Sequence, residues 1–139
     1  MARDFYHNAV KHALEKESWV ISRDPYSFSV GEVDFQIDLS AERESIIAAD
    51  KGEEKIVVEI KTFGRSSPVN AFHEAMGQYD NYLMALEDYE PDRILFLAVP
   101  IEVFNTFFQR PFIQKVITRK QVKFIIYDPS VETIESWIK

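Results

Sequence analysis

The chain has no cysteine, and that absence removes several chemistries at once. Disulfide staples, thiolate nucleophiles, cysteine-held iron–sulfur clusters and cysteine-ligated zinc are excluded. Glycine and proline are scarce, at 4 and 6 residues, which argues against collagen-like repetition and long low-complexity disorder. No apolar run approaches the roughly 20 residues of a membrane span, and the opening MARDFYHNAVKHALEKE lacks the unbroken apolar centre of a signal peptide. A cytoplasmic protein with no membrane partner is the expectation. Histidine is nearly missing as well. His7 and His12 stand about 140° apart around a helix, so they do not form the i, i+4 pair that chelates a metal.

What remains is a 139-residue chain, 46% hydrophobic, with 11 phenylalanines and 6 tyrosines, enough for one domain over residues 1–139 with an aromatic core. The formal charge of −7 is not that of a protein that grips nucleic acid by bulk electrostatics. The charges are unevenly placed, however. From Glu32 to Glu59 there are nine acids and three bases, whereas Val103 to Tyr127 contains no acid. In and beside that acid-free stretch Arg110, Lys115, Arg119, Lys120 and Lys123 are candidate DNA contacts, as is Arg65 further upstream.

Apolar spacing predicts a helix over about 4–17, capped by Asp4, with Tyr6, Val10, Ala13 and Leu14 on one face. A short strand at 19–21 ends at Asp24-Pro25. Two alternating strands follow over 26–30 and 33–39, and their apolar phase slips at Gly31-Glu32, where a turn or bulge is expected. Residues 45–49 and 56–60 read as a hairpin turning near Gly52, a register that sets Glu59 near Ile46 and Lys61 near Glu44. Ser67 caps and Pro68 opens a helix to about Leu86. An apolar strand over 93–99, short helices over 101–108 and 112–118, and a strand over 122–127 complete the order. The tail VETIESWI reads equally as a short helix or an edge strand. The implied fold is α/β, a mixed sheet with a hairpin, flanked by helices.

The sharpest local feature is Glu59-Ile60-Lys61. Period two puts Glu59 and Lys61 on one face of the strand, with Val58 and Ile60 on the other. Asp38 ends an upstream strand, Glu42 follows it, and Gln78 and Tyr82 share one face of the next helix. Such a set suits hydrolysis of a phosphodiester with a hard divalent ion, Mg²⁺ or Mn²⁺, held by Asp38, Glu59 and the Ile60 carbonyl. Lys61 would orient a water and offset charge developing on the phosphate. For the Glu-x-Lys pair alone, charge alternation on a solvated strand is the simpler account.

With these residues in place the chain resembles the XisH family, the cyanobacterial excision-controlling factors of the fdxN element. DFYHNAVKHALEKESWVISRDP, IDLSAE, IIAADKGEEKIVVEIKTF, EAMGQYDNYLMAL, RILFLAVP and IYDP carry the likeness in order along nearly the whole chain. The family in turn resembles the restriction-endonuclease-like, or PD-(D/E)XK, fold. The resemblance implies Asp38 as the aspartate of the nuclease motif, Glu59 as its central acid and Lys61 as its lysine. Gln78 with Tyr82 resembles the Gln-x-x-x-Tyr feature of RecB-like and resolvase-like nucleases. Ser40 stands where the family usually has glycine, and Asn8 where its first helix usually has an acid. The interval from Asp38 to Glu59 is about two residues longer than usual, which brings in Glu42 or Glu44 as substitutes for the upstream carboxylate. The implied partners are DNA, an XisI-like protein and a site-specific recombinase.

Three functions are consistent with the residues: a metal-dependent nuclease, an accessory that binds DNA or a partner protein without cutting, and a purely structural subunit. Phe104, Phe107, Phe108 and Phe112 exceed the needs of one short helix. They either fill the core or cover a partner surface, and a homodimer is expected.

Overall fold

The computed structural model describes residues 2–45, 52–64 and 67–139, with side chains from Asp4 onward. Helix α1 (Ala2–Lys16) buries Ala9, Val10, Ala13 and Leu14, a stripe at helical spacing. It begins before Asp4, which therefore sits inside the first turn, where its charge favours the helix N-terminus, rather than at the cap. Strand β1 (Val20–Arg23) follows. Strands β2 (Tyr26–Val30) and β3 (Val33–Ile37) form a separate two-stranded hairpin. Gly31 at φ 56° and Glu32 at φ 68° are its two turn residues. A two-residue turn with both centres left-handed matches strand twist, and it accounts for the phase slip in the sequence.

Strands β4 (Leu39–Ser45) and β5 (Gly52–Ile60) form the hairpin, in a register different from the expected one. Leu39 pairs with Val58 and Ser45 with Gly52, so Gly52 belongs to the strand. Glu44 lies opposite Glu53, and the residue beside Glu59 is Asp38, not Ile46. A shift in register slides every cross-strand partner together. Residues 46–49 of the expected strand lie outside the described residues.

Helix α2 (Pro68–Tyr89) starts as its sequence implies. Ser67 Oγ accepts the Asn70 N–H at 3.3 Å, and Pro68 occupies the first turn. Strand β6 (Ile94–Pro100), helix α3 (Ile101–Asn105), a 3-10 turn (Phe107–Gln109), helix α4 (Pro111–Lys120), strand β7 (Phe124–Asp128) and strand β8 (Thr133–Ile138) complete the chain. The tail is thus an edge strand. Gln121, at φ 53°, ends α4 in the left-handed region and delays the entry to β7.

The six-stranded sheet has the order β1-β4-β5-β6-β7-β8, parallel only at β5/β6 and β6/β7. Its two faces carry separate cores. Ile56, Val58, Phe96 and Tyr127 pack beneath α1. Val57, Leu95, Leu97 and Phe124 pack beneath α2, the later helices and the β2–β3 hairpin. Phe107 and Phe108 are buried in this second core, with Phe104 stacked on Phe108, and of the four surplus aromatics only Phe112 is exposed. Most of the cluster is therefore core, and the surplus gives no argument for a paired surface. Among the described residues no helix is long and apolar enough to cross a membrane.

Candidate functional site

Asp38 is the bend between β3 and β4. Since Leu39 pairs with Val58, the chain just before it meets the chain just after Val58, and two carboxylates arrive side by side. The Asp38 N–H donates to Glu59 Oε1 at 3.2 Å, and the Ile60 N–H donates to Asp38 Oδ2 at 2.7 Å. Each carboxylate thus holds the other strand's backbone. Lys61 Nζ lies 3.6 Å from Glu59 Oε2.

Glu59 is 9% exposed, on the face of β5 that Val57 shares with α2. Burial first, and then the charge of Asp38, raise its carboxyl from 4.5 to about 8, with Lys61 opposing. Near neutral pH Glu59 is therefore mostly protonated.

These groups line a cleft of about 490 Å³ between the first half of α1 and the start of α2. Tyr6 and His7 form one wall, Ala71 and Glu74 the other. His7 is anchored: its Nε2 lies 2.8 and 2.9 Å from the two Asp24 oxygens, and Lys11 Nζ lies 3.0 Å from the same carboxylate. Burial raises the Asp24 pKa, but the hydrogen bonds from His7 and Lys11 outweigh it and hold the group below its ordinary value. Nothing in the one-dimensional spacing signals that His7 borders this cleft, because its partner sits in a turn 17 residues on.

Tyr82 comes close to the carboxylates. Its hydroxyl donates to the Gln36 carbonyl at 3.4 Å, and burial, then Glu59 and Asp38, push its pKa to about 12. Gln78, one turn earlier, has its side-chain oxygen enclosed without a donor among the described residues. Tyr127, fully buried behind Tyr6, is a neighbour the sequence did not announce. Its hydroxyl has no partner among the described residues, and burial, then Tyr6 and Asp38, raise its pKa.

Other residues lie elsewhere. Glu42 is bound by Arg93, which also holds Glu90 at 2.9 Å and the Ile56 carbonyl at 3.2 Å, a network midway along β4 and apart from Glu59. Glu44 is exposed opposite Glu53. Asp38, and neither of these, is the acid beside Glu59. Arg65 lies outside the described residues. Arg110 covers the Phe107 ring at 5.0 Å and shares a groove with Phe63, which also borders the cleft. Lys115 and Arg119 are exposed on α4, Lys120 is tied to Asp80 at 2.7 Å, and Lys123 stands just before β7, which lies between β6 and β8. Among the described residues no three histidine or acidic side chains form a metal-holding group.

A family model described as XisH protein matches residues 1–135. Two crystal structures are similar over nearly the whole chain. One is of an XisH family protein from Nostoc punctiforme PCC 73102, 43% identical, with a TM-score of 0.87 over 98% of this chain and 100% of that one. The other is of an fdxN element excision controlling factor protein from Anabaena variabilis, also 43% identical, with a TM-score of 0.88 over 98% and 99%. A search of curated proteins found no match. A family match across almost every residue, with the same fold in two relatives, leaves one conclusion: the chain belongs to the XisH family.

Proposed function

We propose that this chain controls the excision of a DNA element as a non-cleaving accessory, engaging DNA and an XisI-like protein that acts with a site-specific recombinase. The description of the Anabaena relative as an excision controlling factor supports the setting. One observation carries the non-cleaving part. Asp38 and Glu59 are hydrogen-bonded inward to each other's backbone with Lys61 alongside, and among the described residues no three acidic or histidine side chains form a metal-holding group. That is the character of a satisfied polar network fixing two strand ends.

On this reading DNA is contacted by the exposed bases of α4, Lys115 and Arg119, with Arg110 in the neighbouring groove that shares Phe63 with the cleft. The test is a DNA-binding titration across salt concentrations. Lys115→Glu with Arg119→Glu should weaken binding at least about tenfold and flatten the salt slope by about two charges, while Glu59→Gln leaves binding unchanged. An unaltered salt slope in the double variant would remove α4 as the contact. A homodimer is proposed as the solution state, measurable by light scattering.

A second reading, Mg²⁺- or Mn²⁺-dependent hydrolysis of DNA on a nuclease-like scaffold, is favoured by the convergence of Asp38, Glu59 and Lys61 in one cleft. The donor chemistry fits a hard ion in part. Asp38 Oδ1 and Glu59 Oε2 carry no backbone hydrogen bond among the described residues, and with the Ile60 carbonyl they would hold an ion that keeps most of its water. Such an ion polarises phosphate and acidifies bound water. Lys61 would then offset charge on the phosphate, and Gln78 and Tyr82 would border the site. Nicking of supercoiled, branched or single-stranded DNA by the wild type, abolished by both Lys61→Ala and Glu59→Ala, would replace the first reading with this one. Equal residual cleavage by all three proteins would leave the accessory role standing.

A further inference from the structure

Helix α4 meets the core along one stripe. Ile113 and Ile117 are buried in the second core, and Val116 packs against it. Phe112 lies outside that stripe. It is 63% exposed, the most exposed large aromatic side chain among the described residues. Phe112, Lys115 and Arg119 stand at i, i+3 and i+7, so they fall within about 60° of one another around the helix. All three are exposed, and together they form a second stripe about a third of a turn from the buried one.

This stripe departs from the charge pattern of the chain. The formal charge is −7, yet α4 contains no acid. Lys120 is occupied by Asp80 at 2.7 Å, whereas Arg110, Lys115 and Arg119 have no carboxylate within salt-bridge distance among the described residues. Arg110 occupies the N-cap of α4 without a side-chain cap bond, and a cation there opposes the helix dipole. A cation at the cap and a bare ring in the first turn do nothing for the helix itself. Both suit a ligand that is anionic and aromatic at once, and a nucleic-acid strand carries a phosphate and a base in every unit.

We propose that Phe112 is a stacking platform for an unpaired DNA base, with Lys115 and Arg119 following the phosphates of the same strand. The inference rests on α4 being the DNA contact, and it names the form of DNA that α4 takes. Three free cations on a chain of this charge grip phosphate weakly. Stacking of one base on a ring adds affinity on the order of tenfold. That gain requires an open base face, and inside a duplex both faces are covered by neighbouring pairs. Single-stranded DNA is therefore preferred over duplex.

Fluorescein-labelled oligothymidylate and a duplex of equal length, each titrated with the full chain at low salt, give the comparison. The wild type should bind the single strand at least about tenfold more tightly. Phe112→Ala should cost about tenfold on the single strand and less than about twofold on the duplex, whereas Lys115→Glu with Arg119→Glu weakens both. Phe112→Trp keeps a platform and should retain the wild-type affinity. Its emission should be quenched by the single strand, while that of the wild type, whose two tryptophans pack on the other face of the sheet, should not. If Phe112→Ala weakened both forms equally or neither, while the charge-reversed variant still lost binding, the stacking role would be overturned and α4 would remain the DNA contact. A charge-reversed variant that bound both forms as the wild type does would remove the two together. Binding to phosphatidylserine vesicles that Phe112→Ala abolishes, with no preference between the DNA forms, would overturn the proposal in favour of an anionic lipid surface.

Discussion

Replacing Glu59 by glutamine should stabilise the protein, and by an amount that grows with pH. The wild-type carboxyl ionises near 4.5 when unfolded and near 8 when folded, because burial and the neighbouring Asp38 oppose its charge. Below pH 4.5 both states hold the proton, and Glu59 adds no pH dependence. Between 4.5 and 8 the unfolded chain has released a proton that the native state retains, so wild-type stability falls by about 1.4 kcal/mol per pH unit. Near pH 7 the accumulated penalty is about 3 kcal/mol, and it levels off near 5 kcal/mol above pH 8. Glutamine copies the shape of the protonated acid and has no such penalty. For a chain of this size, 3 kcal/mol is a rise in Tm of about 10 °C. Urea unfolding of both proteins from pH 4 to 8, in the presence of a chelator, gives the difference directly. A difference that stays flat across this window, or that favours the wild type at pH 7, would refute the assignment of the proton to Glu59.

Two further outcomes test the surrounding frame. Arg93→Met leaves Glu42 and Glu90 without their shared cation, and the Arg93 side chain is only 7% exposed, so the loss in urea-measured stability should be about 3–5 kcal/mol; less than 1 would show that the network contributes little. Gln121 holds φ at 53° in an exposed helix terminus, so Gln121→Gly should stabilise by about 0.5–1 kcal/mol in the same assay.

Local patterning made much of this fold legible. Ser67-Pro68 specified the start of α2 because a hydroxyl cap and a residue without an N–H have few other uses in that order. The alternation of β2 and β3 specified strands because each strand contacts the core on one side. The hairpin register was not legible. Gly52 resembled a turn residue, yet it pairs with Ser45, and nothing local distinguishes a glycine in a turn from one just inside a strand. The same limit applied to the site. The shared face of Glu59 and Lys61 follows from period two alone, while the choice among Asp38, Glu42 and Glu44 depends on register. No local pattern marks Arg93, although it is what holds Glu42 midway along β4. His7 was set aside because it lacks an i, i+4 partner, a criterion blind to a carboxylate in another element.

Two polar peculiarities of the molecule, the buried Glu59 carboxyl and the enclosed Trp19 indole N–H with no acceptor among the described residues, have one architectural cause. A single helix, about 22 Å long at 15 residues, covers one face of a six-stranded sheet, while three helices and a hairpin cover the other. Strands at roughly 4.8 Å spacing make a six-stranded sheet wider than one helix can seal. The first half of α1 borders the cleft at the end of β5, and its far end leaves the indoles of Trp19 and Trp137 to close the other side. Ile56 and Glu59 are three residues apart on β5, about 10 Å along the strand, and point to opposite faces. At that separation, without a shared partner, substitutions at the two sites should act additively. Glu59→Gln should therefore leave the Trp19 indole resonance of the ¹H–¹⁵N spectrum in place, and Trp19→Phe should leave the pH dependence of stability unchanged. If either substitution moved the other site's signal, β5 would have to shift as a rigid unit between the two.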